Sequence, residues 1–282
     1  MHKLRLVLFS LLVLAGMAGN SLLARAALAK HLIDPLSFTV IRLGSGAIIL
    51  LGLSLASRKR PVLSRAMPFM LGAYALAFAY GYVKLGAATG TLFLFFSIQA
   101  AMLGWEIRRG YRLSALQWAG SALTLSGLWR LVGDHVQAND ITGIVLMLAA
   151  GTAWAIYSIL GRNTTDSLSS TTANFTVAAL AMLPLYIAVH PDYPIMITYQ
   201  GMIYSGISGA FTSALVYVLW YRLLKQLSGV TSAVMQMLIP VIVAVAAVPL
   251  LHEPMSARLM ESGVMVLSGI AVVTLSKTRK PV

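Results

Sequence analysis

The sequence predicts an all-α membrane protein whose ten transmembrane helices form two inverted five-helix repeats. Three observations predict it: a composition too apolar for a soluble core, ten long apolar runs divided by charges or turn residues, and a similarity between the two halves. Of the 282 residues, 59% are hydrophobic and 10% charged, against about 25% charged in an ordinary soluble domain. With a mean hydropathy of +0.83 spread over the whole chain, that excess cannot be hidden in one core, because a folded domain still needs a wet surface. At about 20 residues per span, ten helices use roughly 200 residues and leave no room for a soluble domain. There is no cysteine, which removes disulfides, thiolate zinc sites and thiol catalysis together.

Taken in order, the apolar runs place spans near 6–26, 35–57, 66–85, 89–107 and 113–131 in the first half. The second half gives 142–162, 170–189, 199–221, 230–250 and 257–276. Residues 1–131 are thus one five-helix unit, 132–141 a connection, and 142–282 a second unit with a short basic tail. With ten spans, one side holds both termini and the connections carrying Arg58, Lys59, Arg60, Arg65, Arg108, Arg109, Arg112, Arg162, Arg222 and Lys225, so that 15 of the 21 Lys and Arg lie there. The positive-inside rule puts that side in the cytoplasm. The net charge of +13 therefore reflects topology and excludes nucleic acid as its cause. Lys3 and Arg5 before an apolar run also resemble a signal peptide, but the run continues through Leu22, Leu23 and Ala24, long enough to span. The expected location is a bacterial inner membrane, multi-pass, with both termini cytoplasmic.

An offset of 142 pairs Leu125, Ser126, Gly127 and Leu128 with Leu267, Ser268, Gly269 and Ile270. An offset of 137 pairs Ser21, Arg25 and Phe38 with Ser158, Arg162 and Phe175. An odd number of spans per half turns the second copy upside down, the plan by which many secondary transporters build two access states around one midplane site. The connection between spans two and three holds Arg58, Lys59, Arg60 and Arg65, whereas its counterpart, 190–199, holds no Lys or Arg.

Several pieces resemble the ten-helix, EamA-type branch of the drug/metabolite transporter superfamily over about residues 6–276. They are the run Ala153, Trp154, Ala155, Ile156, Tyr157, Ser158 in span six, Pro240 in span nine, the turn His252, Glu253, Pro254, and Gly263 with Gly269 in span ten. The first half departs from the pattern, with Gln99 at the position equivalent to Pro240 and Arg112 at that of Glu253. The resemblance implies a cavity between the halves and export or exchange of small metabolites.

Ionisable residues inside a span are costly and start as site candidates. Arg42 lies seven residues past Pro35, roughly 10 Å down span two, where it either contacts an anion in a cavity or runs outward to brace carbonyls. Lys84 ends span three one turn after Tyr80; it is a solute contact or an interfacial cap. Glu106 closes span four beside Arg108 and Arg109, so it holds a proton or a solute amine, or else an interfacial ion pair. Trp154 and Tyr157 are near mid-span and suited to stacking a solute. Asn20, Gln99 and Gln236 either orient a ligand or join helices. Gln236 precedes Pro240 by four residues, so the ring displaces the bond its carbonyl would accept and predicts a bend. The balance of Arg42 and Lys84 against Glu106 favours a zwitterionic or anionic solute.

Enzyme readings fare worse. All five histidines fall at predicted ends or in loops, and no phosphate-cradling glycine loop occurs. No cofactor or metal is expected. Gly206, Ile207, Ser208 and Gly209 look like the serine motif of rhomboid proteases, yet that chemistry needs a histidine beside the serine. The expected function is a secondary transporter, exporter or exchanger, of a small polar metabolite such as an amino acid; a passive channel and a Ser208 hydrolase are the alternatives. The expected partners are that solute and the lipid bilayer, with a homodimer allowed.

Overall fold

The structure is a computed structural model that describes residues 2–133, 140–189, 195–251 and 256–276. The turn at His252, Glu253 and Pro254, the loop histidines His135 and His190, and the basic tail from 277 onward lie outside the described residues. In chain order the helices are α1 His2–Leu28, α2 Pro35–Ala56, α3 Met67–Arg108, α4 Ala115–Val132, α5 Ile141–Arg162 and α6 Ser167–Val189. There follow α7 Tyr199–Ile207, a π-helical stretch Ser208–Leu215, α8 Val216–Leu224, α9 Gly229–Met235, α10 Leu238–Leu251 and α11 Ala257–Leu275. Among the described residues the only β-type pairing is an isolated antiparallel bridge between Ile33 and Ile197.

Local chemistry sets the helix starts. Asp34 accepts from the Ser37 N–H at 2.8 Å ahead of Pro35, Ser114 and Gln117 form a reciprocal capping box, and Asp140 accepts from the Gly143 N–H at 2.9 Å. Each supplies an acceptor to amides that the first turn leaves unpaired. Spans three and four are joined without a loop. Gly86, at φ 72° and ψ 175°, breaks the helical run of α3 in a conformation that favours glycine. In the same way α9 and α10 are divided at Gln236 and Met237, where the Gln236 carbonyl accepts from the Ile239 N–H at 3.0 Å. The bend predicted at Pro240 is therefore present, and its freed carbonyl is satisfied by the shorter i+3 bond.

Among the described residues, eight segments are long and apolar enough to cross a membrane: Leu4–Leu28, Pro35–Ala56, Thr89–Arg108, Ile141–Arg162, Ser167–Val189, Tyr199–Leu224, Gly229–Ala246 and Ala257–Leu275. Two further helical segments are 67–85, which carries Tyr74, Tyr80, Tyr82 and Lys84, and Ala115–Val132, which carries Gln117, Trp118, Trp129 and Arg130. The bundle exposes large apolar side chains and buries a set of polar ones within its apolar core. Leu12, Ile48, Phe69, Leu180 and Val264 stand exposed, while Asn20, Arg42, Gln99, Gln117, Asn174 and Gln236 are buried. That is the arrangement expected of a lipid-solvated bundle, whose interior polar groups bond one another.

Two helix pairs organise the bundle. α2 and α6 run antiparallel, with Ser37 near Tyr186, Gly46 against Phe175 and Ser54 near Thr172. α4 and α11 also run antiparallel, through glycines that admit close backbone approach. A Cβ on Gly120 would stand 2.8 Å from the Gly269 carbonyl oxygen, and one on Gly127 would stand 3.1 Å from that of Ser262.

Candidate functional site

A cavity of about 520 Å3 opens at the end of the bundle that holds the 29–34 connection. α1, α3 and α4 supply one wall, with Ser21, Arg25, Phe78, Phe95 and Leu131; α10 and the start of α11 supply the other, with Ile239, Val243, Ser256 and Arg258. The breaks at Gly86 and Gln236 present both limbs of α3 and the upper part of α10 to this space. Its floor narrows into an extension of about 30 Å3 bordered by Asn20, Tyr74, Trp154, Tyr217 and Gln236.

The floor is tightly bonded. The Trp154 indole N–H donates to Gln236 Oε1 at 2.7 Å, and the Gln236 amide donates to the Ser232 carbonyl at 2.9 Å and to Met102 Sδ at 3.3 Å. The rings of Tyr217, Tyr74 and Tyr157 lie 4.7, 5.0 and 5.8 Å from that of Trp154, all tilted, within the range of favourable aromatic pairs. Behind them Arg42, 1% exposed, donates from Nε to Ser213 Oγ at 2.9 Å and from Nη2 to Tyr217 Oη at 2.8 Å. Its Cζ stands 5.4 Å from the centre of the Tyr74 ring, and its Nη1 has no bonding partner. The guanidinium thus points into the protein and does not run outward.

The π-helical stretch makes this possible. Asn20 Oδ1 accepts from Ser208 Oγ at 2.7 Å and from Ser213 Oγ at 3.3 Å. Two residues five apart sit on different faces of an α-helix at 3.6 residues per turn, but the wider π winding stacks them. Gly209 lets the stretch lie against α2, since a Cβ there would come within 2.0 Å of the Arg42 carbonyl oxygen.

The opposite end is closed. Arg162 Nη1 lies 3.4 Å from Glu106 Oε1, and its Nη2 donates to Ser232 Oγ at 2.7 Å, tying α3, α5 and α9 together over a cleft of only about 10 Å3. Outside the helices, Lys59 is paired with Asp166, the Val62 N–H donates to the Ser169 carbonyl at 3.1 Å, and Lys225 Nζ donates to that of Thr165 at 3.3 Å. Partial desolvation pushes the Asp166 carboxyl up, but the bonds from Lys59 and Ser169 outweigh it and bring the pKa down to about 2.

A model of the EamA-like transporter family matches residues 141–275. An uncharacterized protein of Pseudomonas aeruginosa is 39% identical over 274 residues, covering 95% of this chain and 94% of its own. The chain belongs to the EamA-like transporter family. An uncharacterized transporter of Archaeoglobus fulgidus is 24% identical over 208 residues, 70% of this chain and 71% of that protein. A crystal structure with 17% identity, covering 96% of this chain and 97% of its own, superposes with a TM-score of 0.77 and shares the fold. The protein is a multi-pass integral membrane protein and carries the fold of a membrane transporter.

Within this EamA-like transporter the candidate residues divide. Asn20, Trp154 and Gln236 border the floor, Tyr157 packs on Trp154, and Arg42 stands directly behind. Gln99, buried, donates to the Ser121 carbonyl at 3.3 Å and so joins α3 to α4. Tyr80 is half-buried on α3 and is not among the cavity-lining residues. Lys84 pairs with Asp140 at 3.1 Å near the surface; the Gly143 N–H and the Lys84 ammonium together lower the Asp140 pKa. Glu106 serves the closure at the far end. Ser208 is fully buried and spends its proton on Asn20, with no histidine bonded to it among the described residues. No cluster of three metal-ligating side chains occurs among the described residues. Sequence reasoning did not single out Tyr74, Ser213, Ser232 or Arg258. Arg25 and Arg162 had a signal, their pairing at offset 137, which now sets one at the open mouth and the other in the closure.

Proposed function

We propose that the protein is a secondary transporter, an exporter or exchanger, that moves a small polar metabolite by alternating access around the cavity between two inverted five-helix repeats, residues 1–131 and 142–282. In this reading Asn20, Arg42, Trp154, Tyr157 and Gln236 form the solute site, and amino acids are among the expected solutes. The observation that carries the reading is a cavity between the halves that is open at one end and closed at the other by Glu106, Arg162 and Ser232. A passive pore has no need of such a closure.

The helix pairs support the inversion. At offset 142, Gly120 corresponds to Ser262 and Gly127 to Gly269, so exchanging the halves converts the contact of Gly120 with Gly269 into that of Ser262 with Gly127. Both contacts occur, as a two-fold relation requires, and the two helices run antiparallel, as an inversion requires. Likewise α1 packs on α10 and the π stretch, while α5 packs on α3. The charge bias of the connections assigns the closed end and both termini to the cytoplasm of a bacterial inner membrane, so the cavity faces outward.

Counterflow tests this directly. Proteoliposomes loaded with unlabelled amino acids should transiently accumulate radiolabelled amino acid from the same pool, and the Arg42→Gln protein should not. A channel would equilibrate the label without overshoot. Because the chain has no cysteine, single cysteines at Thr91 in the cavity and at Asn163 at the other end should be labelled by impermeant reagents from opposite faces of the membrane.

A further inference from the structure

We infer that the cavity selects an amphipathic monocarboxylate, a solute with one carboxylate head and an apolar or aromatic body, over amines and neutral analogues. The inference rests on the transporter reading and deepens it by naming the solute class.

The first ground is the charge of Arg42. A guanidinium stays protonated in proteins, and burying it without a counter-ion is costly. Here its partners are the neutral hydroxyls of Ser213 and Tyr217 and the face of Tyr74. No carboxylate among the described residues bonds it, and Nη1 remains unpartnered. Such a site is electrostatically incomplete, and an anion completes it. Tyr217 transmits the charge: its oxygen accepts from Arg42, and its ring borders the floor beside Tyr74. A carboxylate seated there meets a polarised phenol with the guanidinium directly behind it, in a setting of low dielectric where such bonds are strong.

The second ground is independent. Among the described residues that line the cavity there is no Asp or Glu. Between mouth and floor the walls are Phe78, Leu94, Phe95, Ile239 and Val243, which offer an apolar body its burial and an ammonium no carboxylate.

The test uses four probes of one shape: 3-phenylpropionate, its amide, 3-phenylpropylamine and phenylalanine. Each is titrated onto the full-length protein in lipid nanodiscs and read by calorimetry and by thermal shift. The carboxylate should bind about tenfold or more tightly than the other three, as a charge-assisted bond implies. Arg42→Gln should reduce its affinity to that of the amide and leave the amide unchanged. Tyr217→Phe, which removes the hydroxyl set between Arg42 and the floor, should weaken the carboxylate more than the amide, which keeps the proposal testable where Arg42→Gln fails to fold. Equal or tighter binding of the amide, the amine or phenylalanine overturns the inference, as does an absence of binding by all four. Amino-acid counterflow alongside such a result would leave the transporter reading standing; selective carboxylate binding without counterflow of either the carboxylate or amino acids would uphold the site and remove the transporter reading.

Discussion

Glu106 and Arg162 hold the closed end of the bundle together across 3.4 Å, and Gly229 is what lets them meet. A Cβ at position 229 would stand 1.8 Å from Glu106 Oε1. The pair joins α3 to α5, and its bond onward to Ser232 reaches α9, so three helices from both halves are latched by one guanidinium.

Breaking that latch should open the closed end. With a cysteine at Met102, which is 2% exposed beneath the latch, Glu106→Gln should raise the rate of thiol labelling about tenfold, the equivalent of about 1.4 kcal/mol in the opening equilibrium. Gly229→Ala should act in the same direction without changing charge, because the added methyl displaces the carboxylate. Unchanged labelling in both variants would show that the ion pair does not hold this end shut.

The contact of α4 with α11 predicts a contrast among glycines. Gly120→Ala and Gly269→Ala place a Cβ 2.8 and 2.6 Å from the facing backbone oxygen and should each destabilise by about 1–3 kcal/mol. Gly44 and Gly52, on α2, have nothing within 4 Å of an added Cβ, so alanine there should be neutral or stabilise by up to about 1 kcal/mol through helix propensity. Melting temperatures in one detergent compare all four.

Gly86 separates conformation from packing. An added Cβ there meets nothing within 4 Å, yet φ is 72° and ψ 175°, a region that only glycine occupies readily. Gly86→Ala should therefore lower stability by about 1–3 kcal/mol despite the open space, and a melting temperature equal to that of Gly44→Ala would refute the account.

The Lys59 and Asp166 pair gives a pH dependence. The folded pKa of Asp166, about 2, lies below its usual 3.8, so the stabilisation is present above about pH 4 and is lost as pH falls toward 2. Both side chains are more than a third exposed, which limits the effect to at most about 1 kcal/mol. The melting-temperature difference between the protein and Asp166→Asn should stay constant from neutral pH to about 5 and shrink between about 4 and 2.

The helices were legible because their signals are local: a run of apolar residues, a capping aspartate, a proline four residues after Gln236. Glu106 illustrates the boundary. The sequence sets it beside Arg108 and Arg109 and invites a pairing with one of them, whereas its partner is Arg162, 56 residues on. Gln99 and Gln236 look alike in sequence, yet one joins α3 to α4 and the other anchors Trp154 at the floor. The π winding carried no pattern at all, because Ser208 and Ser213 share a face only once the helix is wider than the period assumed in reading it.

By itself the sequence determined that the chain is a lipid-solvated bundle of helices with an Arg deep in the second of them, since hydropathy and helix periodicity depend on residues within a few turns of one another. Only the tertiary structure decided that Arg42 faces Tyr217 and Ser213, that Arg25 and Arg258 share a mouth, and that one end is latched while the other stands open. Those contacts join residues far apart in the chain, and a buried charge finds its partners through helix packing, which no local pattern records.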